Sequence, residues 1–156
     1  MNKKEIEIEL NIRNIISEKV IPLCQKNNIC IELLESKVVA DIIICRNSET
    51  PKLFFLEVKH FNSINNRIGF GDRKGGGFQP EILFKRPKYF EENMRWVFCK
   101  ENDNSYYIFS NEEICDYIMG NKIGTKQNNF KLKLFQSVNP FSEKEFIKYI
   151  FNWLIK

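Results

Sequence analysis

A chain of 156 residues, 43% of them hydrophobic, is long enough for one compact domain around a sizeable core. Its 24 Lys+Arg against 20 Asp+Glu leave a net charge of +4, compatible with a polyanionic partner but too small to define one. No apolar stretch approaches the ~18 residues that span a bilayer, and no repeat or low-complexity segment divides the chain, so one domain over 1–156 with no membrane partner is expected. The five cysteines, Cys24, Cys30, Cys45, Cys99 and Cys115, stand singly in apolar runs. Without a CxxC pair a zinc site is not expected, and an odd count with no secretory leader points to reduced thiols in the cytoplasm.

In chain order, Asn2 followed by Glu5 reads as a capping box that opens a helix. Ile8, Ile12, Ile15, Ile16, Val20 and Leu23 recur at helical spacing and define its buried face. At ~100° per residue, Glu5 and Glu9 fall on or beside that face, whereas Glu7 and Glu18 point away. Asn27-Asn28 closes the helix, residues 29–34 read as a first strand, and Ser36-Lys37 makes the next turn.

Two apolar runs follow, residues 38–45 and 53–58, rich in Val, Ile and Phe and separated by a polar segment with Pro51. They read as two buried strands joined by a turn. Bare charges are costly there, because an unpaired ionised group in a low-dielectric core costs several kcal/mol or more. Yet Asp41 interrupts the first strand, and Glu57 and Lys59 interrupt the second. Alternation puts Glu57 and Lys59 on one face and Leu56 and Val58 on the other. Antiparallel pairing would set Asp41 opposite the Glu–Lys pair. Two carboxylates at a sheet edge suit Mg²⁺, which prefers a few oxygen donors and keeps several waters. An ammonium beside the metal can orient and help deprotonate a water, while the metal stabilises charge on a phosphoryl oxygen. The plainer alternative is a set of strand-end charges joined in an ion pair with Lys59. His60, the lone histidine, follows Lys59 on the opposite face and reads as structural.

Asp41 with Glu57-Val58-Lys59 at the end of the next strand resembles the PD-(D/E)xK nuclease superfamily, the fold of restriction endonucleases and archaeal Holliday-junction resolvases. Ala40, not Pro, precedes Asp41, a departure from the pattern at a position where the family often lacks the Pro and which does not touch the chemistry. The resemblance implies an α/β (α+β) fold with a restriction endonuclease-like αβββαβ core, a central mixed sheet flanked by helices. It implies Mg²⁺, for which Mn²⁺ can substitute, held by Asp41, Glu57 and the backbone carbonyl of Val58. Lys59 would position the water. In such nucleases a carboxylate on the apolar side of the first helix serves as an extra metal or water ligand. Glu5 has a competing role as a cap, so Glu9 is the choice, with a plain boundary glutamate as the alternative.

After Lys59, residues 62–78 hold five of the seven glycines: Gly69, Gly71, Gly75, Gly76 and Gly77. Arg67, Arg73 and Lys74 interleave there with Phe70 and Phe78. The spacing is neither a Walker A loop nor a GxGxxG turn. A structureless basic loop over the site is expected, its amides and basic side chains meeting phosphates; a solvated tether is the alternative. Residues 79–93 should contain the second core helix, restarted at Pro87. Gln79 is similar to the Gln of a QxxxY motif in one branch of the superfamily, although Leu83 stands where Tyr would be. Glu81 is a lesser candidate. Lys85, Arg86 and Lys88 beside Tyr89 and Phe90 form a patch for a nucleic-acid backbone, or a solvated helix face.

Residues 96–100 and 106–109 flank an Asn/Asp-rich turn as a hairpin. Ser110 with Glu113 caps a short helix that Gly120 ends. Residues 130–138, with Lys131 and Lys133, read as a half-exposed edge strand. Ser142 and Glu145 cap a last helix, with Phe141 and Phe146 as a hydrophobic staple. Its wide apolar stripe either closes the core or supplies a dimer surface.

The resemblance implies a Mg²⁺-dependent DNA endonuclease, a phosphodiester hydrolase of the type II restriction class. It would act on double-stranded DNA as a cytoplasmic homodimer, since symmetric cleavage of both strands takes two copies. The alternatives are a Holliday-junction resolvase-like or repair nuclease, a nuclease toxin, and a non-catalytic nucleic-acid-binding module on the same fold. The joint presence of Asp41, Glu57 and Lys59 favours an enzyme.

Overall fold

The computed structural model describes residues 3–35, 40–61, 67–69, 92–100, 104–120, 129–131 and 138–156. Helix α1 (Lys3–Ile15) passes through a π-helical turn (Ile16–Val20) into α2 (Ile21–Lys26). Pro22 gives this turn a physical reason. A proline inside an α-helix lacks the N–H donor and clashes with the carbonyl four residues back. The wider turn places Pro22 in the first turn of α2, where both costs are reduced. It also moves the apolar stripe, so that Ile12, Ile16, Val20 and Cys24 are buried while Leu23, expected inside, is 37% exposed. Asn27 and Asn28 do close the helix. Asn28 takes φ 58°, the Ile29 N–H donates to the Cys24 carbonyl and the Asn28 N–H to that of Gln25, which is a Schellman motif.

The remaining elements are β1 (Cys30–Leu34), β2 (Ile42–Asn47), β3 (Lys52–Phe61), β4 (Arg67–Gly69), β5 (Met94–Lys100), β6 (Tyr106–Ser110), α3 (Asn111–Gly120), β7 (Asn129–Lys131) and α4 (Glu143–Ile155). Five of the strands form a mixed sheet in the order β1-β2-β3-β5-β6. Its neighbours are antiparallel except β3 and β5, which run parallel from Phe55 opposite Met94 to Phe61 opposite Lys100. A hairpin cannot make that pairing. Of the helix expected within 79–93, only Glu92 and Asn93 are described, and both are helical.

Alternation along β3 splits the core in two. Phe54, Leu56 and Val58 pack with Ile12, Ile16 and Val20 of the first helical run and with Phe146, Ile150 and Leu154 of α4. Phe55 and Phe61 join Ile43, Met94, Trp96, Phe98 and Phe109, with Ile114 of α3 against them. Helices thus cover both faces of the sheet, and β3 runs through its buried centre. Burying side chains of this size contributes roughly 1.5–3 kcal/mol each.

Of the three expected caps, that of Asn2 lies outside the described residues and the other two form. The Glu113 N–H donates to Ser110 Oγ while the Ser110 N–H donates to Glu113 Oε2, and Ser142 with Glu145 repeats the pattern at α4. Helix α4 closes the core, with Phe146, Ile150, Trp153 and Leu154 buried. Phe141 packs on Tyr149, with ring centroids 5.6 Å apart, and exchanges backbone hydrogen bonds with Tyr106.

Three strand assignments are corrected. β2 begins at Ile42, so Asp41 occupies a bend at the strand's entry instead of interrupting it. Arg67–Gly69, expected in a structureless loop, is a strand paired with Asn129–Lys131. β7 therefore lies in a separate two-stranded sheet and not on the edge of the main one. No described helix is long and apolar enough to cross a membrane.

Candidate functional site

β3 outruns β2. The β2–β3 ladder ends at Ile42 opposite Leu56, whereas on its other side β3 stays paired with β5 as far as Phe61. Beyond Leu56, the β2-facing edge of β3 therefore carries backbone groups with no described ladder partner. Asp41, one register step past the last pair, fills the gap: the Val58 N–H donates to its Oδ2 at 2.8 Å. In an extended strand the N–H and C=O of one residue project to the same edge, so the Val58 carbonyl points to the same opening.

Glu57 and Lys59 flank Val58 on the opposite face of the strand, as alternation requires. Lys59 Nζ donates to Glu57 Oε1 at 2.6 Å, and both side chains are buried. Burial by itself would lower the Lys59 pKa. The adjoining Glu57 carboxylate, with the charges of Asp41 and Glu5 behind it, outweighs that effect and raises it above the ordinary ammonium value. Lys59 is therefore a firm cation at neutral pH. The Asp41 carboxyl behaves oppositely. Burial, Glu57 and Glu9 push it up to about 6, against the lowering effects of the Val58 N–H and Lys59.

Glu9 reaches this group from α1, only 5% exposed on the helix's inner side. Arg13, which the sequence reading passed over, holds it there. Its Nε donates to Glu9 Oε1 at 3.1 Å and its Nη2 to the Asp41 backbone carbonyl at 2.5 Å. One guanidinium thus ties the first helix to the bend that carries Asp41. Half of that link was visible in the sequence, since Glu9 and Arg13 stand at i,i+4 in the favourable order. The half that reaches the Asp41 carbonyl is tertiary. Of the two N-terminal candidates, Glu9 acts on Asp41, while the half-buried Glu5 contributes charge felt by Lys59.

Glu9, Asp41 and Glu57 thus converge, with Arg13 and Lys59 close by as counter-charges among the described residues. Burial, with Glu57 and Glu9 nearby, drives Asp41 toward protonation, and a cation there would favour its ionised form. Among the described residues no group of three or more His, Cys, Asp or Glu side chains forms a ready metal cage. A hydrated Mg²⁺ needs no such cage, since it takes one or two carboxylates and retains water. Asp41, Glu57 and the Val58 carbonyl are the groups here that could hold such a cation.

His60 is half-buried on the opposite face from Glu57 and Lys59, as expected. Arg67 lies in β4, in register with Lys131. Arg73, Lys74, Gln79, Glu81, Lys85 and Arg86 lie outside the described residues. Compared with family models, with curated proteins and with solved structures, the chain matches none of them.

Proposed function

We propose that the chain is a Mg²⁺-dependent nuclease of the PD-(D/E)xK, restriction endonuclease-like type that hydrolyses phosphodiester bonds in DNA. The observation that carries this reading is Asp41 anchored on the Val58 N–H, beside the buried Glu57–Lys59 pair, at the point where β3 outruns β2. A helix, three antiparallel strands and a fourth strand parallel to the third support the same reading. An ordinary surface ion pair would have no reason to bury Glu57 and Lys59 beside two more carboxylates, because such burial is costly.

In this reading Asp41, Glu57 and the Val58 carbonyl hold the metal. When bound, Mg²⁺ supplies charge stabilisation at the phosphoryl oxygens. Lys59, kept protonated by Glu57, does not take the proton from water; it orients the water and screens the developing negative charge. Glu9 and Arg13 fix the Asp41 bend against α1. Arg67, with Arg73, Lys74, Gln79, Lys85 and Arg86, supplies contacts to the nucleic-acid backbone. Two copies acting together would cut both strands, as type II restriction enzymes do.

The test is cleavage of a linear duplex and of a four-way junction in Mg²⁺, Mn²⁺ or EDTA. Cutting of the duplex favours restriction, and preference for the junction favours resolution. Asp41→Ala and Glu57→Ala are expected to abolish cleavage while leaving DNA binding intact or tighter, since a carboxylate near phosphate repels it. Cleavage that persists in EDTA, or in both variants, overturns the assignment.

A further inference from the structure

A concave site lies toward the opposite end of β3 from Glu57 and Lys59. The start of β3, the approach to β5 and the last turn of α4 enclose a cleft of about 540 Å³ lined by Lys52, Glu92, Arg95, Asn152, Trp153 and Lys156. Its floor belongs to the first core cluster, where the Phe54 ring meets Trp153 edge-on at 5.0 Å. Glu57 and Lys59 alternate onto the other side of the sheet. At ~3.3 Å per residue, the five steps from Lys52 to Glu57 span roughly 17 Å. The cleft is separate from the candidate metal site.

Its charges are unbalanced. Lys52 is cross-strand partner to Arg46, and both cations lie over the same Phe54 ring, at 5.1 and 5.7 Å. Like charges directly opposite in an antiparallel pair destabilise it. Arg46 has compensation in the Leu154 carbonyl at the end of α4, to which its Nη1 donates at 2.7 Å. Arg95 is held in place by the Tyr149 hydroxyl, the Met94 carbonyl and the Trp153 ring. Among the described residues neither Lys52 nor Lys156 has an ion-pair partner, and Glu92 carries the only acidic side chain lining the cleft. With Lys52, Arg95 and Lys156 against Glu92, the side chains lining the cleft carry an excess of positive charge, which favours an anion there.

We propose that this cleft binds a phosphate group, carried either by a nucleic-acid strand or by a free phosphomonoester. Arg95 presents a guanidinium already fixed in place, Lys52 and Lys156 add point charges, and the Asn152 amide adds donors, the combination that recognises an oxyanion. The volume lies in the range of small-ligand sites and exceeds what a bare phosphate needs, leaving room for an attached sugar.

The two tryptophans provide the readout. Trp153 Nε1 donates to the Glu92 carbonyl at the cleft wall, whereas Trp96 Nε1 donates to Asn111 Oδ1 in the other cluster. The full chain in EDTA is titrated with inorganic phosphate, then with ribose 5-phosphate and a short single-stranded oligonucleotide, while the indole N–H resonances are followed. Phosphate is expected to shift Trp153 saturably and leave Trp96 in place. Lys156→Met, at an exposed position that does not threaten the fold, and Lys52→Met with Lys156→Met should weaken binding ~10-fold or more. Lys52→Arg, which keeps the charge, should retain binding. Displacement of phosphate by the oligonucleotide identifies a strand as the ligand; displacement by ribose 5-phosphate alone identifies a small phosphomonoester. A Trp153 resonance unmoved by every probe overturns the proposal, as does wild-type binding by the folded Lys156→Met and double variants.

Discussion

At the scale of single residues, the state of Lys59 separates a reactive centre from a structural ion pair. Its ammonium lies 2.6 Å from a buried carboxylate that holds the proton on it. Removing the cation leaves Glu57 buried with less compensation, and breaking a buried pair in this way costs about 3–5 kcal/mol. Lys59→Met is therefore expected to melt well below wild type in EDTA and to regain part of the loss when Mg²⁺ supplies the missing charge. Lys59→Arg keeps the ion pair and should melt near wild type. If Lys59 orients the water, single-turnover cleavage should fall ~10²-fold or more in both variants, because an ammonium's reach and a guanidinium's differ. Melting curves and single-turnover rates on the same preparations decide it. A folded Lys59→Arg or Lys59→Met that cuts at the wild-type rate removes Lys59 from the chemistry.

At the scale of elements, Arg13 joins the first helix to the Asp41 bend, and its loss tests whether that join serves the site or only the fold. Groups that orient a metal's ligands typically change affinity or activity 10–100-fold when removed. Arg13→Ala should therefore raise the Mg²⁺ concentration needed for half-maximal cleavage by about that factor. A lower melting temperature with an unchanged Mg²⁺ requirement would reduce Arg13 to a tether. The same element shows what the sequence could and could not convey. Capping boxes at Ser110 and Ser142 and the Schellman closure at Asn28 are local, so a few neighbouring residues announced them. The apolar runs of β2 and β3 were equally plain. The entry to β2 was not, because the chain's own pattern continues apolar through Ala40 while the ladder stops at the Ile42–Leu56 pair. The π-helical turn escaped as well: a 3.6-residue period carried through it puts Leu23 inside, where the structure leaves it 37% exposed. Pro22 was the available clue. The pairing of β4 with β7 joins segments too distant in sequence for any periodicity to reveal.

At the scale of the whole molecule, the sheet is covered by helices on both faces, and carboxylates gather where β3 runs free of β2. Stability should therefore depend on pH and metal in a defined direction. Asp41 ionises near pH 6 in the folded protein against an ordinary 3.8, so between those values the folded state binds more protons than the unfolded one. The contribution of this group is fully present below about pH 4 and is lost as pH rises through about 6. In EDTA, Asp41→Asn removes that loss, so the melting temperature of wild type should drop relative to the variant between these limits. Mg²⁺ or Ca²⁺ at neutral pH should reverse the difference, since a ligand that binds only the folded state stabilises it, by about 2.7 kcal/mol at a hundred times its dissociation constant. Parallel profiles for the two proteins, with or without metal, would show that Asp41 titrates normally. The overhang of β3 has one further consequence, in hydrogen exchange. An amide inside a ladder is protected by the strand beside it, but Val58's is protected by a single side chain. Asp41→Ala should leave the amides of β3 that face β5 exchanging slowly and turn Val58 into a fast one. That amide is a built-in clock, readable residue by residue, for how often the carboxylate at the centre of the site lets go of the backbone.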